Sequence, residues 1–325
     1  MRSAAIQQLD LRDRRLLYLL DLDGRMSYSK IAKQLRTSKQ VVKYRVERLE
    51  HEGYIKGYHT IIDLYKLGYI PFRVYFKLRN LYPKRKKEIV SYLKSQKNVW
   101  AVSLAAGRWD LAIAIAVKDI HEFYLIWEEI LRNYLPNISD YQTSIYAPIY
   151  HFSRSYLIES EDTSKIRMLG GRGMAEVDEK DLKILVELSK NARASLLDIS
   201  EKVGITPEAI SHRIAQLAEK EVIQGYRALI DTAKMGYEFY EAQIRLSSYK
   251  DVKIMLEFCH SHQNITQVNK TIGGETLEVH FQVKSLGQML SIMEEFEKMF
   301  PKSIEKFDYI TVISQEKRTY MPELE

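Results

Sequence analysis

The chain is written twice. Residues 9 to 69 match residues 177 to 237 at a constant offset of 168 and without a gap. The shared positions include Asp13/Asp181, Leu17/Leu185, Arg25/Arg193, Ser27/Ser195, Ile31/Ile199, Arg45/Arg213, Leu49/Leu217, Ile55/Ile223, Gly57/Gly225, Asp63/Asp231 and Gly68/Gly236. Chance does not keep register that long, so both halves must accept one fold. At 325 residues the chain also exceeds what one hydrophobic core usually organises, and two to four domains are expected. The join runs from Ser160 to Met174, where Gly170, Gly171 and Gly173 predict a flexible linker.

In each copy the first fifty residues read as three helices. Asp10 can accept hydrogen bonds from the free amides of a helix carrying Leu16, Leu17 and Leu20. Ser27 caps a short second helix with Ile31 and Leu35, and Ser38 caps a third whose buried stripe is Val42, Val46 and Leu49. So few residues separate helices two and three that they must cross sharply, as in a helix-turn-helix. The alternating run Tyr54 to Ile62 then supplies a wing and a strand leading out.

The rest of the first copy reads as a strand at Phe72 to Leu78, a helix at Lys84 to Gln96, and strands at Val99 to Ala105 and Leu111 to Val117. A helix at Ile120 to Tyr134 and a strand at Ser139 to Ile149 complete it. The second copy repeats this order from Tyr240 to Ile313. A βαββαβ order predicts a ferredoxin-like α+β domain, a four-stranded antiparallel sheet with two helices on one face. The other face is too apolar to stay exposed, so a second sheet is expected to cover it, with the two sensor domains of one chain pairing first and chains then associating. The expected division is a winged helix-turn-helix at 9–57, a ferredoxin-like sensor and assembly domain at 58–158, a linker at 159–175, a second winged helix-turn-helix at 176–225 and a second sensor domain at 226–325.

These residues carry a family resemblance. The run Asp23 to Arg25, Ser27, Ile31-Ala32, Leu35, Ser38, Val41, Arg45, Leu49-Glu50, Gly53, Ile55, Gly57-Tyr58, Asp63 and Gly68 resembles the Lrp/AsnC (feast/famine) regulators of prokaryotes, here as two fused, RAM-type copies. The second copy departs at Ser200, where that family prefers alanine, and at Glu221, where it prefers glycine. The resemblance implies sequence-specific binding of double-stranded DNA and homo-oligomer assembly through the ferredoxin-like domains. It also implies, in many members, a small amino-acid effector held between assembled sensor domains.

Stepping 100° per residue around the third helix from Val42 turns Gln40, Lys43, Tyr44 and Glu47 outward. Gln40 and Lys43 suit base edges, Tyr44 a base or a phosphate, and Ser38, Lys39 and Arg48 phosphates. Arg45 lies nearer the buried stripe, where a structural ion pair and a phosphate contact are equal alternatives. The second copy offers weaker contacts through Thr206, Ser211, His212 and Arg213, and its Glu208 would repel phosphates. The charge follows the same asymmetry. Residues 1–158 hold 27 Lys+Arg against 15 Asp+Glu, whereas residues 159–325 hold 22 against 28. A polyanion is therefore expected at the first half.

Between the second and third strands of the first sensor domain, Gly107-Arg108-Trp109-Asp110 is similar to the Gly-x-x-Asp turn near which effectors of that family bind. A glycine turn can offer amides to a carboxylate and Asp110 can take an ammonium; the alternative is a tight hairpin in which Asp110 satisfies amides. The second copy has Thr276 in the aspartate's place. Cys259, His260 and His262 read as a buried thiol beside surface imidazoles, and no metal, cofactor or catalytic residue is expected. The start, MRSAAIQQLDLRDRR, has no apolar core, and the apolar stretch Val99 to Val117 is broken by Arg108 and Asp110, so a cytoplasmic protein without a membrane span is expected. Two other classes compete. A sirohaem-decarboxylase-like enzyme shares this architecture but would need histidines on the second sensor strand, and Val99 to Gly107 has none. A co-regulator binding only protein partners would leave Lys39, Gln40, Lys43 and Arg48 unexplained.

Overall fold

The computed structural model describes residues 9–80, 82–159 and 166–323. The chain opens with α1 (Leu11–Leu22), α2 (Tyr28–Leu35) and α3 (Lys39–His51), then β1 (Ile55–Ile62). The first sensor domain follows as β2 (Ile70–Leu78), α4 (Pro83–Ser95), β3 (Val99–Gly107), β4 (Leu111–Val117), α5 (Ile120–Tyr134) and β5 (Ile138–His151). After β6 (Arg167–Leu169) the order recurs as α6 (Glu179–Lys190), α7 (Leu196–Val203), α8 (Pro207–Glu219) and β7 (Ile223–Ile230). The second sensor domain is β8 (Glu238–Leu246), α9 (Val252–Ser261), β9 (Ile265–Ile272), β10 (Leu277–Val283), α10 (Leu286–Met299) and β11 (Ile304–Arg318).

The repeat is visible down to its caps. Asp10 and Asp178 each close a capping box with the aspartate three residues on, and Ser27, Ser38, Ser195 and Thr206 each accept from the amide of the third residue following. Val42, Val46 and Leu49 are fully buried, as their spacing requires.

The copies do not fold as separate beads. β1 pairs antiparallel with β7, so the strand expected to form a wing within each copy instead joins the two, with His59 opposite Arg227. The expected boundaries at 57/58 and 225/226 fall inside these strands. Each helix-turn-helix also packs on the other copy: Ala192, Ala228 and Tyr237 join the core under α1–α3, while Ile62, Leu64 and Leu67 join the core under α6–α8. The turns after α1 and α6 exchange hydrogen bonds. Arg25 donates to the carbonyl of Ala192 at 2.6 Å, and Arg193 donates to those of Gly24 at 2.6 Å and Met26 at 3.2 Å. Gly24 lies so close to β7 that a Cβ there would meet the Arg227 backbone at 2.9 Å.

The sensor domains close on each other. Strands run β2, β4, β3, β11, β8, β10, β9, β5 and back to β2, a barrel of eight strands formed from two four-stranded sheets. Closure depends on the long last strand of each copy. β5 pairs with β2 over Ile138–Ile145 and then with β9 as far as His151; β11 pairs with β8 and then, over Ile310–Arg318, with β3. The helices cover the outside over two separate cores. Every strand thus alternates between a helix-facing and a lumen-facing residue, as in β4, where Leu111, Ile113, Ile115 and Val117 face the helices and the intervening alanines face inward. The expected internal pairing is therefore present, edge to edge as well as face to face. Of the linker expected to be flexible throughout 159–175, residues 160–165 lie outside the described residues, and the rest contains β6, which pairs with β5 from Ile149 to His151 and buries Arg167 against the carbonyl of Leu22. Its glycines turn the chain around an ordered strand.

Candidate nucleic-acid interface

The third helix of the first copy presents Ser38, Lys39, Gln40, Lys43 and Tyr44 to solvent, with Tyr44 66% exposed. Ser38 Oγ accepts from the Val41 amide at 3.2 Å and so caps the start of α3. Lys43 touches only Glu47, one helical turn on, at 3.6 Å and in full solvent, a contact too weak to hold it from a phosphate or a base.

Arg48, expected at phosphates, is placed elsewhere, and Arg45 takes the ion pair that was one of its two expected alternatives. Arg45 donates to Asp10 at 2.8 Å and Asp13 at 2.7 Å, and Arg48 to Asp13 at 2.6 Å. Both guanidiniums clamp α3 to the capped start of α1. Arg213 does the same with Asp178 and Asp181, both at 2.8 Å. In each copy the arginine sits beside the buried stripe, within reach of two carboxylates fixed by a capping box, and ion pairing holds it there. Among the expected contacts of the second copy, Thr206, Ser211 and His212 are exposed, but so is Glu208, and Pro207 occupies the first turn of α8.

The Gly107–Asp110 turn is spent on assembly. Asp110 accepts from the Leu78 amide at 2.8 Å and from Lys77 at 3.1 Å. Thr276 accepts from the Leu246 amide at 3.2 Å, so the aspartate and its replacement perform one hairpin task. Arg108 reaches into the second copy, to Glu275 at 2.9 Å and Asp308 at 2.6 Å, and Trp109 donates to Gln243 at 3.0 Å. A Cβ on Gly107, whose φ is +111°, would meet the Tyr309 carbonyl oxygen at 2.8 Å, so glycine is needed where β11 crosses. Of the side chains expected to receive an effector, Arg108 and Trp109 join the two copies and Asp110 ties the turn to β2 of its own copy.

The lumen holds a polar group that strand-by-strand reading passed over. Glu241, Glu278 and His280 are buried with liganding atoms within 4.8 Å of one another, the one such metal-capable group among the described residues. Their oxygens are already engaged. Arg73 lies 3.4 Å from Glu241, Tyr75 and Gln243 donate to Glu241, and Asn269 donates to Glu278 at 3.0 Å. A metal ion would have to displace a guanidinium. Burial works to raise Glu241, but the hydrogen bond from His280 and the Arg73 charge hold it well below the usual carboxylate range; burial and the Glu241 charge push Glu278 up. Burial, with Arg318 and Arg227 nearby, keeps His59 and His151 neutral. The signal was present in LEVHFQV, where Glu278, His280 and Gln282 alternate with apolar residues, and in the lone charge Arg73 inside IPFRVYF. Cys259 is buried on α9, where burial raises its thiol pKa.

The fold and this surface define a DNA-binding protein of helix-turn-helix type. The family "Winged helix-turn-helix DNA-binding" matches residues 9–56 and again 177–224. An HTH-type transcriptional regulator of Pyrococcus furiosus is 31% identical over 144 residues, which are 43% of this chain and 92% of that protein. The proline dehydrogenase transcriptional activator of Rhizobium radiobacter is 30% identical over 145 residues, 44% of this chain and 92% of its own length. The chain belongs to the Lrp/AsnC family of transcription regulators, as a tandem duplication of its unit. Over the whole length the fold is similar to that of the sirohaem decarboxylase NirDL, with a TM-score of 0.65 at 11% identity, covering 97% of this chain and 94% of that one. No helix among the described residues is long and apolar enough to cross a membrane.

Proposed function

We propose that the protein regulates transcription by reading duplex DNA through α3. Gln40 and Lys43 meet base edges in the major groove, while Lys39, Tyr44 and the capped end at Ser38 meet phosphates. The observation that carries this reading is the difference between two otherwise twin helices. After Arg45, Arg48 and Arg213 are taken up in ion pairs, α3 keeps Lys39 and, in an exposed pair with Glu47, Lys43 on its outer face, whereas α8 shows Glu208, Ser211 and His212 there. The second copy is accordingly an accessory contact. Selection of bound fragments from random DNA by the intact chain tests this. A recurrent motif lost in Lys39→Ala/Lys43→Ala supports it, and no preference over bulk competitor at near-physiological salt overturns it.

Association of chains would use the exposed apolar residues of the outer helices, such as Ile120, Tyr124 and Leu125 on α5. Light scattering that finds only monomers at micromolar concentration removes that step. The fold shared with the decarboxylase supports a second reading, an enzyme acting on a tetrapyrrole, and the buried imidazoles of His59, His151 and His280 favour it. Titration with an iron porphyrin that leaves its absorption spectrum unchanged disposes of that reading.

A further inference from the structure

The barrel lumen contains a cavity of about 80 Å³, lined in part by Leu64, Tyr65 and Leu169. One water needs about 10–15 Å³ by this measure, so the space suits a molecule of a few non-hydrogen atoms. Ala101 and Ser103 of the first copy make the room, and Ile62, Ile149 and Val312 line it with hydrocarbon.

The polar lining is unbalanced toward donors. Arg73 Nε, Trp100 Nε1 and Tyr65 Oη are buried without a hydrogen-bond partner among the described residues. The first two can only donate. Arg73 is 7% exposed, and its contact to Glu241 is long, at 3.4 Å, to a carboxylate that Tyr75 and Gln243 already occupy. Arg318 also lines the cavity. It donates to Gln315 at 3.2 Å and lies 4.6 Å from the Tyr320 ring centre, with no carboxylate in ion-pair reach among the described residues. Behind it, Arg154 and Arg227 share Asp21. The cavity lining thus brings the cations Arg73, Lys317 and Arg318 to one space against the single carboxylate of Glu241, and a charged acceptor satisfies them best.

We propose that this cavity is a binding site for a small organic acid. The carboxylate faces Arg73 and Arg318, and a short aliphatic tail lies along Ile62, Ile149 and Val312. The site is independent of whether α3 reads DNA.

Calorimetry and thermal shift on the full chain test it, with isovalerate, its neutral amide isovaleramide and iron uroporphyrin as probes. Isovalerate is expected to bind and raise the melting temperature, with the amide at least tenfold weaker. Arg318→Met should weaken isovalerate at least tenfold, and Ala101→Leu, which fills the space, should abolish binding while the circular dichroism stays unchanged. No binding at millimolar isovalerate, equal binding of acid and amide, or full affinity in both variants overturns the proposal. Preference for the porphyrin overturns it too, in favour of the tetrapyrrole reading.

Discussion

Equivalent positions of the two copies meet near the barrel's pseudo-twofold axis, and there the copies differ most. Arg73 on β2 faces Glu241, its counterpart on β8. Ala112, Ala114 and Ala116 on β4 correspond to Glu278, His280 and Gln282 on β10. In a dimer of identical chains, a residue on such an axis meets itself, so an arginine there would face an arginine. Fusing the copies lifts that restriction. The first copy could become small and cationic inside and the second polar and acidic, which creates both a charge pair and a space. Outside, the same freedom leaves Lys39 and Lys43 on α3, where α8 has Pro207 and Ser211.

The sharpest way to break this comparison is to restore the symmetry. Glu241→Arg should cost about 3–5 kcal/mol, because an uncompensated charge is buried, and Arg73→Glu/Glu241→Arg should recover most of it in chemical denaturation. A single variant as stable as the parent would mean that the axis pair is idle. Next comes Asp21, held by Arg227 at 2.7 Å and by Arg154, whose counterpart Ser189 holds no charge. Asp21→Asn should cost about 3 kcal/mol and Ser189→Ala less than about 0.5 kcal/mol. Burial opposes ionisation of Asp21, but Arg227 and Arg154 depress its pKa far below the ordinary 3.8. Its contribution is therefore complete above that value and lost as pH falls toward the depressed one, and the asparagine variant should lack this acid limb in its melting profile.

Lys39→Ala/Lys43→Ala should weaken specific DNA binding about 30- to 100-fold at low salt, and Ser211→Ala/His212→Ala no more than about threefold, by gel shift. The reverse order would exchange the roles of the two halves. The smallest effect probes where the copies are alike: Arg45→Ala and Arg213→Ala should each cost about 1 kcal/mol, equal within error, since both clamp a capping box.

Local patterns were enough for the helices and most strands. The buried stripe of α3, the capping residues, and the bounds of β4, α5 and β10 follow from spacing alone. The barrel was hidden because β5 and β11 extend only by pairing with the other copy, and no local alternation encodes an edge contributed from so far along the chain. β6 was hidden by the glycines that follow it, at 170, 171 and 173. Arg48 looks like any basic residue near a recognition helix until Asp13 comes within reach, and the lumen cluster unites residues from strands that each looked unremarkable by themselves.

The reciprocal Arg25 and Arg193 bonds act as a calliper. The jaws are α3 and α8, and their opening is set inside the protein rather than adjusted to the duplex. Wherever both jaws touch one DNA molecule, moving one contact by five base pairs, about half a helical turn, carries it to the far side of the duplex and out of their grip.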